Sequence, residues 1–175
     1  SLINLTELFS VEGKVKHYIC ELEFSEFRVP EGAYAVVEKT PVNLDITNKG
    51  NKVFSVTGSV DVSLEMPCGR CLDPVKVDFH LEIDDEIDMK QTDKERMEAL
   101  DEQFYVNGYN LDVDQMVRNE LTLSLPMKVL CDEDCKGICN RCGTNLNRGT
   151  CDCDTRSLDP RMSVIQDIFK QLKEV

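Results

Sequence analysis

"VFSVTGSVDVSLEMPCGRCLDPVKVDFHLEI" occupies residues 53–83 and carries the most regular alternation in the chain. Phe54, Val56, Val60, Val62, Leu64 and Met66 share one parity, and after an interruption Val75, Val77, Phe79, Leu81 and Ile83 share another. A repeat of two puts each set on one face of a strand. The interruption "PCGRCLDP" then reads as the tip of a long antiparallel hairpin, with Cys68 and Cys71 on it. Gly58, the one gap in the apolar series, reads as a bulge or twist point. Just upstream, Val42, Leu44 and Ile46 alternate in the same way, and "NKGN" at 48–51 marks a turn. Residues 41–88 therefore predict three long antiparallel strands.

Outward from this block the signals weaken. Tyr18, Cys20, Leu22 and Phe24 alternate as one further strand would, and "EGAYAVVEK" at 31–39 predicts another. Residues 84–102 hold nine acids against Lys90, Lys94 and Arg96, the composition of a solvated acidic insertion. "NLDVDQMVRNELTLSLP" at 110–126 sets Asp112 and Gln115 in capping-box spacing. Val113, Met116, Val117, Leu121 and Leu125 then fall on one face of a helix over 112–125, which Pro126 ends. In the tail, Asp159 as cap and Pro160 at the first turn precede a stripe of Met162, Ile165, Ile168, Phe169 and Leu172. The expected architecture is α+β: a curved antiparallel sheet or partial barrel of about five strands, two packed helices, and a C-terminal Cys-rich zinc-binding appendage. The expected division is a sheet domain over 1–126 and a Cys-rich segment with the C-terminal helix over 127–175.

With 175 residues the chain can bury a core without covalent staples. Its nine cysteines leave one over after any pairing, and the first residues lack the basic start and apolar stretch of a secretory signal. Both point to a reducing, cytoplasmic compartment, where clustered cysteines serve as metal ligands or redox centres more often than as disulfides. No apolar run has the length of a membrane-spanning helix. A net charge of −13 argues against holding nucleic acid by broad neutralisation of phosphates, and favours basic protein partners or a locally basic face.

Eight of the cysteines form four local pairs: Cys68/Cys71, Cys131/Cys135, Cys139/Cys142 and Cys151/Cys153. Zn–S bonds of about 2.3 Å demand thiolates converging from tight turns, and short spacings beside Gly69, Gly137 and Gly143 supply them. Four pairs fit one or two structural zinc ions, with Cys20 left as an ordinary buried thiol. One partition groups Cys139, Cys142, Cys151 and Cys153 locally and lets Cys131 and Cys135 join Cys68 and Cys71. A second groups the two C-x2-C knuckles, Cys68, Cys71, Cys139 and Cys142. The first is preferred, because it leaves no pair without a partner. The rival chemistry is a thiol redox sensor centred on Cys-Gly-Arg-Cys. His17 and His80 lie on expected strands, and Asp132, Glu133 and Asp134 read as solvated loop charges. No phosphate-cradling glycine loop, nucleophile elbow or carboxylate pair points to an enzyme.

"PCGRCLDP" at 67–74, "CKGICNRCGTNLNRGTCDC" at 135–153 and "LDPRMSVIQDI" at 158–168 together resemble the YceD family, the large ribosomal RNA subunit accumulation proteins. Family members more typically carry leucine where Ile138 stands and proline where Asn140 stands; neither position is an expected ligand. The resemblance implies a non-enzymatic factor for accumulation of large-subunit ribosomal RNA, acting in processing or ribosome assembly. Two physical routes suit that role. Arg70, Lys128, Lys136, Arg141 and Arg148 form a basic set for contact with precursor RNA. Alternatively the chain is an acidic zinc-binding adaptor or chaperone for a basic ribosomal protein, with 84–102 as the contact.

Overall fold

The computed structural model describes residues 1–30, 32–90 and 105–153. Two compact units share the chain. The first comprises Ser1–Pro67 and Pro74–Val129, and the second comprises Cys68–Asp73 and the residues from Leu130 onward. The first unit is built on strands β1 (Leu2–Asn4), β2 (Val15–Cys20), β3 (Glu26–Val29), β4 (Gly32–Lys39), β5 (Val42–Gly50), β6 (Val53–Pro67), β7 (Pro74–Asp88), β8 (Val106–Asn107) and β9 (Asn110–Asp112). One α-helix, α1 (Val113–Ser124), completes it among the described residues.

The hairpin read from residues 53–83 is the centre of the larger sheet. β6 and β7 pair without a break in register from Val53↔Asp88 to Pro67↔Pro74. The opposite edge of β6 is shared, with β5 pairing its first half up to Ser59 and β4 its second half from Val62 to Glu65. β2 then pairs with β5, and β3 with β4. A smaller antiparallel sheet follows the order β1-β9-β8.

The strand periodicity fixes which side chains are buried. Val42, Leu44 and Ile46 of β5, the even-numbered apolar residues of β6, and Phe79, Leu81, Ile83 and Ile87 of β7 join one core. Burying each large aliphatic or aromatic side chain contributes about 1.5–3 kcal/mol. The turn between β5 and β6 has Asn51 and Lys52 both in the left-handed region, at φ 52° and 62°. That is the two-residue geometry whose twist matches the flanking strands. Buried Asn48 secures the same corner: its Nδ2 donates to the carbonyls of Leu8 (2.8 Å) and Val11 (3.1 Å), and its Oδ1 accepts from the Gly50 amide (2.8 Å). Asp112 caps α1 by accepting from the amides of Asp114 and Gln115, and the helix buries Val113, Met116, Val117 and Leu121 against the core.

Several expectations are corrected. Among the described residues the protein is predominantly β with a single α-helix, not an α+β assembly with two packed helices, and the sheet is open, since β2, β3 and β7 end it without pairing to one another. The segments β1, β3, β8 and β9, two to four residues each, are too short to show a period; cross-strand pairing decides them. The expected helix over 159–172 lies outside the described residues. Leu22 and Phe24 are buried, but in the connection between β2 and β3 and not in a strand with Tyr18. Cys20 is half-buried against the core. Residues 84–88, placed in the acidic insertion, continue β7, with Ile83 and Ile87 inward and the acids between them on strand positions; residues 91–102 of that insertion lie outside the described residues. Gly58 is not a bulge: its pairing with Leu44 is in register. A Cβ there would stand 2.1 Å from the Asn43 carbonyl oxygen and 2.8 Å from Leu44 Cδ2, so glycine permits close approach of β5.

Two outcomes test this packing. Gly58→Ala forces β5 off β6 and should destabilise the protein by at least about 1–3 kcal/mol, read as a lower Tm; an unchanged Tm would show that β5 does not pass so near. Glu120 on α1 has its pKa raised from 4.5, by burial first and by the Asp85 charge second. The folded protein therefore disfavours the carboxylate, a penalty absent well below 4.5 and full above the raised value. Glu120→Gln should raise Tm near pH 7, with the gain vanishing toward about pH 4; a pH-independent gain would assign it to something other than charge.

Candidate metal centres

Each thiol knuckle is made by its own backbone. In the first, the Leu72 amide donates to the Cys68 carbonyl (3.0 Å) and the Cys68 amide to the Asp73 carbonyl (2.8 Å). In the second, the Gly143 amide donates to the Cys139 carbonyl (2.9 Å) and the Cys139 amide to the Thr144 carbonyl (2.8 Å). The residue after the second cysteine is left-handed in both, Gly143 at φ 75° and Leu72 at φ 64°. Glycine takes that conformation freely; a leucine does so against Cβ crowding of about 1–2 kcal/mol. The turn through Asp132 to Cys135 is closed by the Cys135 amide on the Asp132 carbonyl (3.1 Å) and by the Asp134 amide on Asp132 Oδ1 (2.8 Å).

These turns bring eight of the nine cysteines together in two fours. Cys68, Cys71, Cys131 and Cys135 have their Sγ atoms within 4.8 Å of one another, and so do Cys139, Cys142, Cys151 and Cys153. In the first group Cys68 and Cys135 Sγ lie 3.8 Å apart, and Cys71 and Cys131 Sγ 3.5 Å apart. A tetrahedral ion with Zn–S bonds of about 2.3 Å sets its sulfurs roughly 3.8 Å apart, so the spacing fits one ion held by four thiolates. All nine cysteines are free thiols. Both groups could hold a metal ion.

The protons of these thiols are unevenly held. Backbone amides of Cys71 and Arg70 aimed at Cys68 lower its pKa to about 6. The Thr144 hydroxyl and amide do the same for Cys142, again to about 6. Crowding by Cys71 and Cys135 raises Cys131 to about 12, and Cys142 raises Cys153 to about 12. Four thiolates cannot share so small a volume without a cation, and a divalent ion supplies the charge that releases the remaining protons.

A second layer of side chains orients the first group. Arg70 Nη1 donates to the carbonyls of Glu133 and Cys135, each at 2.9 Å, and so braces the loop that bears Cys131 and Cys135. Asn147 Nδ2 donates to Cys135 Sγ (3.2 Å), lowering its pKa, while Asn147 Oδ1 accepts from the Lys136 amide (2.7 Å). Asp73 Oδ2 accepts from Asn145 Nδ2 and Arg148 Nη2, both at 3.0 Å. The loop that carries the first knuckle is thus tied to the loop that follows the second. Arg70 and Arg148, read from sequence as part of an RNA-contacting set, are hydrogen-bonded within this unit. Lys136 and Arg141 are exposed on it, and Lys128 is exposed on the first unit. His17 and His80 lie exposed on β2 and β7, paired with Asp45 (2.8 Å) and Asp61 (2.6 Å), and belong to neither thiol group. Asp73, Asn145 and Asn147 carried no sequence signal as outer-layer residues beyond the polar run "GTNLN" directly after the second knuckle.

A sequence model described as "Large ribosomal RNA subunit accumulation protein YceD" matches residues 56–170. The Large ribosomal RNA subunit accumulation protein YCED homolog 1, chloroplastic, of Arabidopsis thaliana is 30% identical over 64 residues, 37% of this chain and 20% of that protein. Its Zea mays counterpart is 31% identical over 61 residues, 34% of this chain and 20% of that protein. A Mycobacterium tuberculosis protein named only as uncharacterized is 29% identical over 91 residues, 52% of this chain and 44% of that protein. The match thus spans less than half the length of these relatives. No solved structure matches the chain.

The two groups should lose metal separately. Cys68→Ser and Cys139→Ser should each lower bound metal by about one equivalent per chain, measured by elemental analysis of protein purified without added metal. Full metal content in either variant would show that the cysteine replaced is not a ligand.

Proposed function

The chain belongs to the YceD family, and from that premise we propose that it is a non-enzymatic cytoplasmic factor that supports accumulation of large-subunit ribosomal RNA, its second unit held in shape by two structural zinc ions. The observation that carries the reading is the coincidence of the family match over 56–170 with two convergent groups of four thiols inside that span. An all-sulfur tetrahedral donor set favours zinc among abundant divalent ions, and four protein ligands leave no open position for water or substrate. Zinc in such a site contributes folding energy and rigidity rather than chemistry. Among the described residues no helix is long and apolar enough to cross a membrane.

A second reading, an adaptor for a basic ribosomal protein, is favoured by one observation. Glu82, Asp84 and Glu86 line the end of the solvent face of β7 beyond Lys76, Asp78 and His80, opposite Ser59, Thr57 and Ser55 of β6, in a chain of net charge −13. An acidic strand face of this length suits a lysine- or arginine-rich partner.

Depletion of the protein in its own cell should lower the ratio of large-subunit to small-subunit ribosomal RNA, read from total RNA. An unchanged ratio would reject the role. Capture of precursor RNA by the purified, metal-loaded chain, against capture of a basic ribosomal protein, separates the two readings.

A further inference from the structure

Within the first unit, a cavity of about 310 Å³ opens between β3 and α1, lined by Phe27, Arg28, Gln115, Arg118, Asn119 and Thr122. We propose that this cleft binds a phosphate ester through Arg28 and Arg118. Gln115, Arg118, Asn119 and Thr122 stand at positions i, i+3, i+4 and i+7, one stripe of α1 next to its buried stripe. This stripe carries a guanidinium, two amides and a hydroxyl, and a lining residue on the strand side, Arg28, holds the Glu26 carboxylate.

The two guanidinium groups are differently prepared. Arg118 is half-buried, its Cζ 4.2 Å from the centroid of the Phe24 ring, and its Nη1 donates to the Glu26 carbonyl at 3.2 Å. Those contacts fix the plane of the fork before a ligand arrives, which reduces the entropy lost on binding. Arg28 is exposed and held by the Glu26 carboxylate through Nε (3.0 Å) and Nη2 (2.9 Å). An exposed ion pair of that kind is worth little, so an entering dianion can draw Arg28 away at small cost. Fork-shaped donors match phosphate oxygens in pairs, and the amides of Gln115 and Asn119 add neutral donors on the helix side, while the Thr122 hydroxyl donates to the Arg118 carbonyl (2.8 Å) and so steadies that turn. The volume suits a single nucleotide or one unit of a sugar-phosphate chain.

This site does not depend on the ribosomal RNA role, and its readout is separate from a ribosomal RNA ratio. The full metal-loaded chain is titrated with inorganic phosphate, a nucleoside 5′-monophosphate and a single-stranded oligoribonucleotide, following backbone amide shifts in NMR. Shifts should appear at residues 26–28 and 115–122, and the affinity should fall with added salt. Asn119→Glu places a carboxylate in the cleft and Arg28→Gln removes an exposed charge; each should weaken binding by about tenfold or more. Unchanged spectra elsewhere show that both variants fold. Tighter binding of the oligoribonucleotide assigns an RNA backbone as the source of the phosphate, and comparable binding of all three assigns a free phosphate ester; both support the site. Absence of shifts at these residues up to about 1 mM ligand, or equal affinity in both variants, overturns it.

Discussion

Unbroken antiparallel pairing of β6 with β7 is the constraint from which the first unit follows. Fifteen residues on each strand keep one register, so every even-numbered apolar residue of β6 is committed to the same face. A slip by one position would turn Phe54, Val56, Val60, Val62, Leu64 and Met66 to solvent together, and no other set on β6 could replace them. Once β6 is fixed, β4 and β5 divide its remaining edge, and Gly58 is the point where one of them comes so near that no side chain fits. The turn of the same hairpin carries Cys68 and Cys71, so the pairing that orders the sheet also sets the first two thiols in a tight loop.

The second unit is governed by a different force. Among its described residues few are buried and apolar, and Cys68, Cys71, Cys135 and Cys139 are among the most buried side chains. The described loops of 68–73 and 130–153 bury little apolar surface of their own, and hydrogen bonds alone offset chain entropy poorly. A cation bound by each group of four thiols would solve that problem, because an ion supplies in a few bonds the energy a core would provide. Arg70, Asp73 and Asn147 then have a clear physical task. Arg70 holds two carbonyls, Asn147 one sulfur, and Asp73 the Asn145 amide and the Arg148 guanidinium, so that the thiols stand in a geometry a metal accepts.

Basic residues illustrate how tertiary structure redistributes roles that composition cannot. Arg70 and Arg148 stand near the thiols in sequence and read as a surface for nucleic acid; in the fold they also brace the unit, through the carbonyls of Glu133 and Cys135 and through Asp73. Arg28 and Arg118, ninety positions apart and without any local motif, face one cavity because β3 packs beside α1. Charge on a strand or helix is legible in sequence; which charges meet is not.

The sequence by itself determined the three long strands, the capped helix beginning at Asp112, and the pairing of cysteines into short knuckles, because each is a local pattern: a period of two, a cap, or a spacing that a single turn can close. It also contained the partition of eight thiols into two fours as one of two admissible schemes. Only the tertiary structure decided among those schemes at the level of sulfur positions, found β1, β3, β8 and β9, and made the described residues predominantly β with one α-helix. Those features depend on partners dozens of residues away, and a strand of two to four residues has no period of its own to announce it.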